Sequence, residues 1–139
     1  MTTFASFVSS VGSIETPGVM RRYDHEPESL GEGDLPAQFP RLPDGSIGYA
    51  PADCPEIEET RAIELVFCIR PVGLGTAAEN FAETIEMLDY ANAALRTWKF
   101  ATAQNGMAIT YELSTAGSAP VIVGDTAYWA VIATITARG

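Results

Sequence analysis

The stretch VGDTAYWAVIATIT, residues 123–136, carries no charged residue after Asp125. In an extended chain Ala127, Trp129, Val131, Ala133 and Ile135 share one face, and Tyr128, Ala130, Ile132, Thr134 and Thr136 share the other. Neither face suits water. Such a strand belongs in the centre of a sheet, or in a sheet whose second face is covered by another subunit.

The remaining elements must build that sheet and its cover. TRAIELVFCIRPV, from Thr60, alternates Ile63, Leu65, Phe67 and Ile69 against Ala62, Glu64, Val66, Cys68 and Arg70, which predicts a long strand with one fully apolar face. After the VGLG turn, Thr76-Ala77-Ala78-Glu79 has the capping-box pattern, a hydroxyl followed three residues later by a carboxylate. The helix it opens places Phe81, Ile85, Leu88, Leu95 and Trp98 on one stripe, interrupted by Asn92, and is expected to run to about Trp98. Gln104-Asn105-Gly106 then turns into a strand with Met107, Ile109, Tyr111 and Leu113 inward. Ser114 to Pro120 read as a polar connector, Val121 to Val123 as a short edge piece, and Gly124-Asp125 as the turn into the terminal strand. At the start, Phe4, Phe7, Val8, Val11 and Ile14 recur at helical spacing, with Thr2 or Thr3 as cap and Thr16-Pro17-Gly18 as the stop.

Residues 17–60 break every periodicity, because Pro17, Pro27, Pro36, Pro40, Pro43, Pro51 and Pro55 fall there. Only short strands fit. Leu35, Phe39, Leu42, Ile47 and Tyr49 supply apolar anchors, so an ordered arm is expected, docked on its own chain or on a neighbour. The fold class that follows is α+β: one domain spanning 1–139, a mainly antiparallel sheet packed on one face by a short N-terminal helix and one long helix, with an extended Pro-rich acidic arm.

The net charge of −10 is localised. Residues 23–60 hold ten acids against Arg41 alone, and the rest of the chain holds eight acids and seven bases. Nucleic-acid grips concentrate Lys and Arg, so specific nucleic-acid binding is not expected. Phosphate slides past such a surface. No window is apolar enough for a membrane span and the N-terminus lacks a basic signal-peptide region, so no membrane association and a cytoplasmic site of synthesis are expected. Cys54 and Cys68 are expected as reduced thiols.

The usual chemical constellations are missing from the sequence. His25, the only histidine, sits in the acidic RRYDHEPE without a positioned partner. VGLGTA has two glycines but neither the third glycine of a dinucleotide fingerprint nor a lysine. Glu79, Glu83 and Glu86 share one side of the long helix, where acids more often form a solvated or subunit-contact face than a metal site. No catalytic, cofactor-binding or metal residue is therefore assigned, and the chain is expected not to be an enzyme. The candidates are instead interface residues: Phe39, Leu42, Ile47 and Tyr49 of the arm, and Tyr128, Trp129 and Ile132 of the last strand.

The order of a short first helix, the RLPDGSIGY arm, the AIELVFCIRPV strand, the TAAENFAETIEMLDYANAAL helix and the closing GDTAYWAVIATITA resembles the tail-terminator proteins of long-tailed bacteriophages, also called tail-completion or minor tail proteins. The resemblance implies a virion subunit that forms a homo-hexameric ring, caps the tail tube, stops its polymerisation and docks the head-completion or connector protein, with DNA passing through the lumen. It implies a place at the tail–neck junction, after assembly in the host cytoplasm. In that reading the strands at 61–71 and 127–136 face neighbouring subunits and the tube. Two other readings stand beside it: another neck component such as a head-tail stopper, or a small dimeric α+β ligand-binding domain or enzyme.

Overall fold

The β-branched and aromatic residues of 60–71 form a 12-residue strand in the computed structural model, which describes residues 4–43, 60–73, 77–102 and 108–138. In chain order the elements are α1 (Phe4–Gly12), β1 (Arg21–Arg22), β2 (Ala37–Arg41), β3 (Thr60–Pro71), α2 (Ala77–Thr102), β4 (Ala108–Val123) and β5 (Thr126–Arg138). The strands make one five-stranded sheet in the order β1-β2-β3-β5-β4, antiparallel except for the β1–β2 pair. The fold is α+β, and β5, uncharged up to its final Arg138, lies inside the sheet between β3 and β4.

One face of the sheet carries the helices. Phe7, Val11 and Ile14 from the α1 segment and Met87, Ala91, Ala94 and Leu95 from α2 close over Ile63, Leu65, Phe67, Val131, Ala133 and Ile135. Burying each large side chain contributes roughly 1.5–3 kcal/mol. The two helices meet through Trp98, whose Nε1 donates to Ser10 Oγ at 3.0 Å and whose ring centroid lies 6.4 Å from that of Phe7.

The second face is covered by the chain's own arm. Phe39, Val66, Cys68, Val121, Val123, Tyr128 and Ala130 form a second buried cluster beneath Tyr23, Leu30 and Leu35. Of the two surfaces open to the arm, residues 23–35 take their own. The arm also contributes β2, which tolerates Pro40 for a geometric reason. Pro36 and Gln38 turn their carbonyls toward β1, accepting from Met20 and Tyr23, and Pro40 two residues on turns the same way. Its missing N–H therefore faces the outer edge and leaves the β2–β3 ladder intact.

Three sequence expectations change. β4 runs for 16 residues, through the Ser114–Pro120 stretch assigned to a connector, because a wide register shift between Ala116 and Val121 lets the ladder resume. The long helix runs to Thr102, beyond Trp98. Its buried stripe is Met87, Ala91, Ala94 and Leu95, with Leu88 and Trp98 half-buried, whereas Phe81 and Ile85 point outward at 70% and 46% exposure. The Gly124-Asp125 turn forms as expected: Val123 pairs with Thr126, and Gly124 takes φ +62° at the first central position. Thr76, Met107 and the Gln104-Asn105-Gly106 turn lie outside the described residues.

Candidate assembly surfaces

The seven candidate interface residues divide by location. Phe39 and Tyr128 are buried in the cluster under the arm, at 0% and 3% exposure, and the Tyr128 hydroxyl donates to the Leu30 carbonyl at 3.3 Å. In this fold both side chains lie buried between the arm and its own sheet, so they are not exposed for contact with a neighbour. Ile132 packs half-buried against the same cluster. Leu42 is 61% exposed just past β2. Trp129 is half-buried on the helix-facing side. Ile47 and Tyr49 lie outside the described residues.

Trp129 marks an irregularity on both sides of β5. Toward β3, Cys68 pairs with Ala130 and Arg70 with Trp129, so Ile69 is an extra residue in the ladder. Toward β4, Ala116 pairs with Ala130 and Val121 with Tyr128, so residues 117–120 stand against Trp129 alone. The indole Nε1 is buried and has no hydrogen-bond partner among the described residues. A bulge of this kind bends the strand and re-aims a side chain. Here it turns Arg70 from the arm side of the sheet to the helix side, beside Ile69.

Arg70 uses that new direction. Its Nη1 donates to Glu79 at 3.0 Å and its Nη2 to Glu83. The guanidinium side chain is 24% exposed and the two carboxylate side chains 57% and 38%, so the pairs are partly screened. The acid row that sequence placed on one side of the long helix is thus divided: two members clamp α2 to the end of β3. The third, Glu86, accepts from the Tyr90 hydroxyl at 2.7 Å, which pushes the Tyr90 pKa upward.

Two flanks of the molecule remain uncovered by described residues. On the first, the Tyr111 hydroxyl of β4 donates to Asn92 Oδ1 at 2.9 Å, fixing α2 above that strand. From Asn92 the same helix flank continues through Leu88, Ile85 and Phe81 while β4 continues through Leu113 toward Ile122, which is 64% exposed. The outer edge of β4 carries no strand among the described residues. On the second flank, beyond β2, Met20 is 69% exposed and the Arg21 and Arg22 side chains 59% and 42%.

Two clefts open on the described surface. One of about 500 Å³ is lined by Val8, Asp24, His25, Glu26, Pro40, Arg41, Leu42 and Ile63. His25 Nδ1 lies 2.5 Å from Asp24 Oδ1, but both side chains are largely exposed and adjacent in sequence, so water competes for the contact. The other, about 330 Å³, lies between Gly18, Pro36 and α2 and includes Arg70, Glu83 and Tyr90. Among the described residues there is no group of three or more side chains suited to holding a metal ion. Arg41 is held by Glu64 at 3.1 Å and Arg21 by Asp34 at 3.4 Å, so these guanidinium groups already have carboxylate partners.

Burial explains the state of Cys68, a free thiol at 0% exposure. Desolvation pushes its pKa from an ordinary 9.0 up to about 12, offset in part by Arg41. Cys54 lies outside the described residues. No helix among the described residues is long and apolar enough to cross a membrane. No protein-family model, curated protein or solved structure matches the chain.

Proposed function

We propose that this chain is a structural subunit that caps a phage tail tube as a homo-hexameric ring, ends tube polymerisation and gives the head connector its docking surface. The observation that supports the reading most is the apolar flank of α2, with Phe81 at 70% and Ile85 at 46% exposure, alongside a 16-residue strand whose outer edge carries no strand among the described residues. A helix flank and sheet edge of this kind are the usual material of subunit contacts. The sequence resemblance supplies the identity of the assembly.

Charge supports the same reading. Each copy carries −10, concentrated in residues 23–60, so a ring of copies would repel a passing phosphate backbone rather than hold it. Its partners in this reading are its own copies, tail-tube protein and a head-completion protein, at the tail–neck junction of the virion. Adding the purified protein to polymerising tail-tube protein tests the function directly. Shorter tubes with capped ends are the expected result; an unchanged length distribution with no density at the ends overturns it.

The 500 Å³ cleft beside His25 favours a second reading, a small ligand-binding domain. In that case ligand-dependent stabilisation would accompany indifference to tube protein.

A further inference from the structure

Building on the ring reading, we propose that successive copies join head to tail, the α2–β4 flank of one receiving the Met20–Arg22 edge of the next. The two surfaces are opposite edges of one sheet, separated by four strand spacings, roughly 19 Å, so within a copy they cannot meet. Between copies they can. A contact between two different surfaces repeats from copy to copy, as a closed ring requires, whereas a contact of one surface with itself stops at a dimer.

The chemistry of the two flanks is complementary. Phe81, Ile85 and Asp89 follow one another at four-residue spacing on the exposed flank of α2, whereas the exposed Glu112 of β4, paired with Thr134, lies on the opposite face of the sheet. Arg96, also exposed, falls nearly two turns beyond Asp89. The flank therefore offers an apolar strip with an acid, Asp89, at one end. The opposite edge offers an exposed thioether, Met20, followed by two arginines. Arg21 is tied to Asp34 at 3.4 Å, and Arg22 reaches Glu15 at 3.9 Å. Those exposed pairs are weak enough to yield to a neighbour's carboxylate. Met is well suited to fill an irregular apolar groove, and Arg to pair with a carboxylate at its rim.

The test uses two cysteine variants, each with Cys54→Ser: Met20→Cys in one and Ile85→Cys in the other. Both positions are exposed, and unchanged circular dichroism confirms folding. After oxidation the proposal predicts a disulfide-linked dimer in the mixture and none in either variant alone. Cross-linking of one variant with itself, or assembled particles without the mixed cross-link, overturns the head-to-tail pairing while leaving the ring reading intact. Monomers at every concentration, with and without tube protein, overturn both. As a second measurement, Arg22→Glu should weaken self-association at least about tenfold, and adding Asp89→Arg should recover part of the loss. An Arg22→Glu protein that assembles as the parent does would also overturn the pairing.

Discussion

Arg70 stands directly across the sheet from Trp129, one residue out of step with the register that joins Cys68 to Ala130. That single extra residue, Ile69, brings the guanidinium to the helix side, where Glu79 and Glu83 hold it. The bulge thus couples the end of β3 to the first turns of α2, the part of the helix that carries the exposed Phe81 and Ile85. The position of the proposed assembly flank depends on this local irregularity.

A double-mutant cycle on Arg70→Ala and Glu83→Ala should give a coupling energy of about 0.5–1 kcal/mol, measured by denaturant unfolding. The value is modest because both groups keep some contact with water. Raising salt should reduce it. A coupling of zero at low salt would mean the clamp does not operate in solution.

Phe39→Ala should cost about 3–5 kcal/mol of stability, because Phe39 is fully buried between the sheet and the arm. Leu42→Ala, at a 61% exposed position, should change stability by less than about 0.5 kcal/mol. Equal effects in chemical denaturation would contradict the assignment of Phe39 to the core.

Gly124→Ala should destabilise the protein by about 1–3 kcal/mol for two independent reasons. Its φ is +62°, and a Cβ built there would lie 2.7 Å from the Glu28 carbonyl oxygen. Thermal unfolding measures the loss, and faster proteolysis within residues 23–35 would show that the arm has lifted from the hairpin. A variant as stable as the parent would remove that contact from the account.

Cys68 makes stability depend on alkaline pH. Its folded-state pKa is raised to about 12 from 9.0, so above pH 9 the unfolded chain releases a proton that the folded chain retains. Its contribution is fully present below pH 9 and is lost as pH rises from 9 toward 12, with a slope of up to about 1.4 kcal/mol per pH unit. Cys68→Ala should flatten that slope. In the Cys54→Ser background, a thiol reagent at pH 8 should label Cys68 only after unfolding; rapid native labelling would contradict its burial.

Strand alternation made β3 and β5 legible because Ile63, Leu65 and Phe67 and their partners Val131, Ala133 and Ile135 repeat without interruption on one face. It failed at Arg70 because a bulge is a property of two paired strands, and one strand's sequence shows only uninterrupted alternation. The same cause hid the continuity of β4 across Ser114 to Pro120. In α2 the large residues Phe81, Ile85 and Leu88 outweighed Ala91 and Ala94 in the reading. Yet the alanines are what sit against the sheet, since small side chains allow close approach. Phe39 and Tyr128 were recognisable as anchors, but sequence alone could not say whose surface they anchor. The arm's return over its own sheet answers that for residues 23–35.

The central claim is assembly, and the most direct measurement is the molar mass by light scattering across protein concentration, with and without tail-tube protein. The account predicts a mass near six times 14.8 kDa, either alone or on the ends of tubes. A fixed dimer or monomer that ignores tube protein would contradict it.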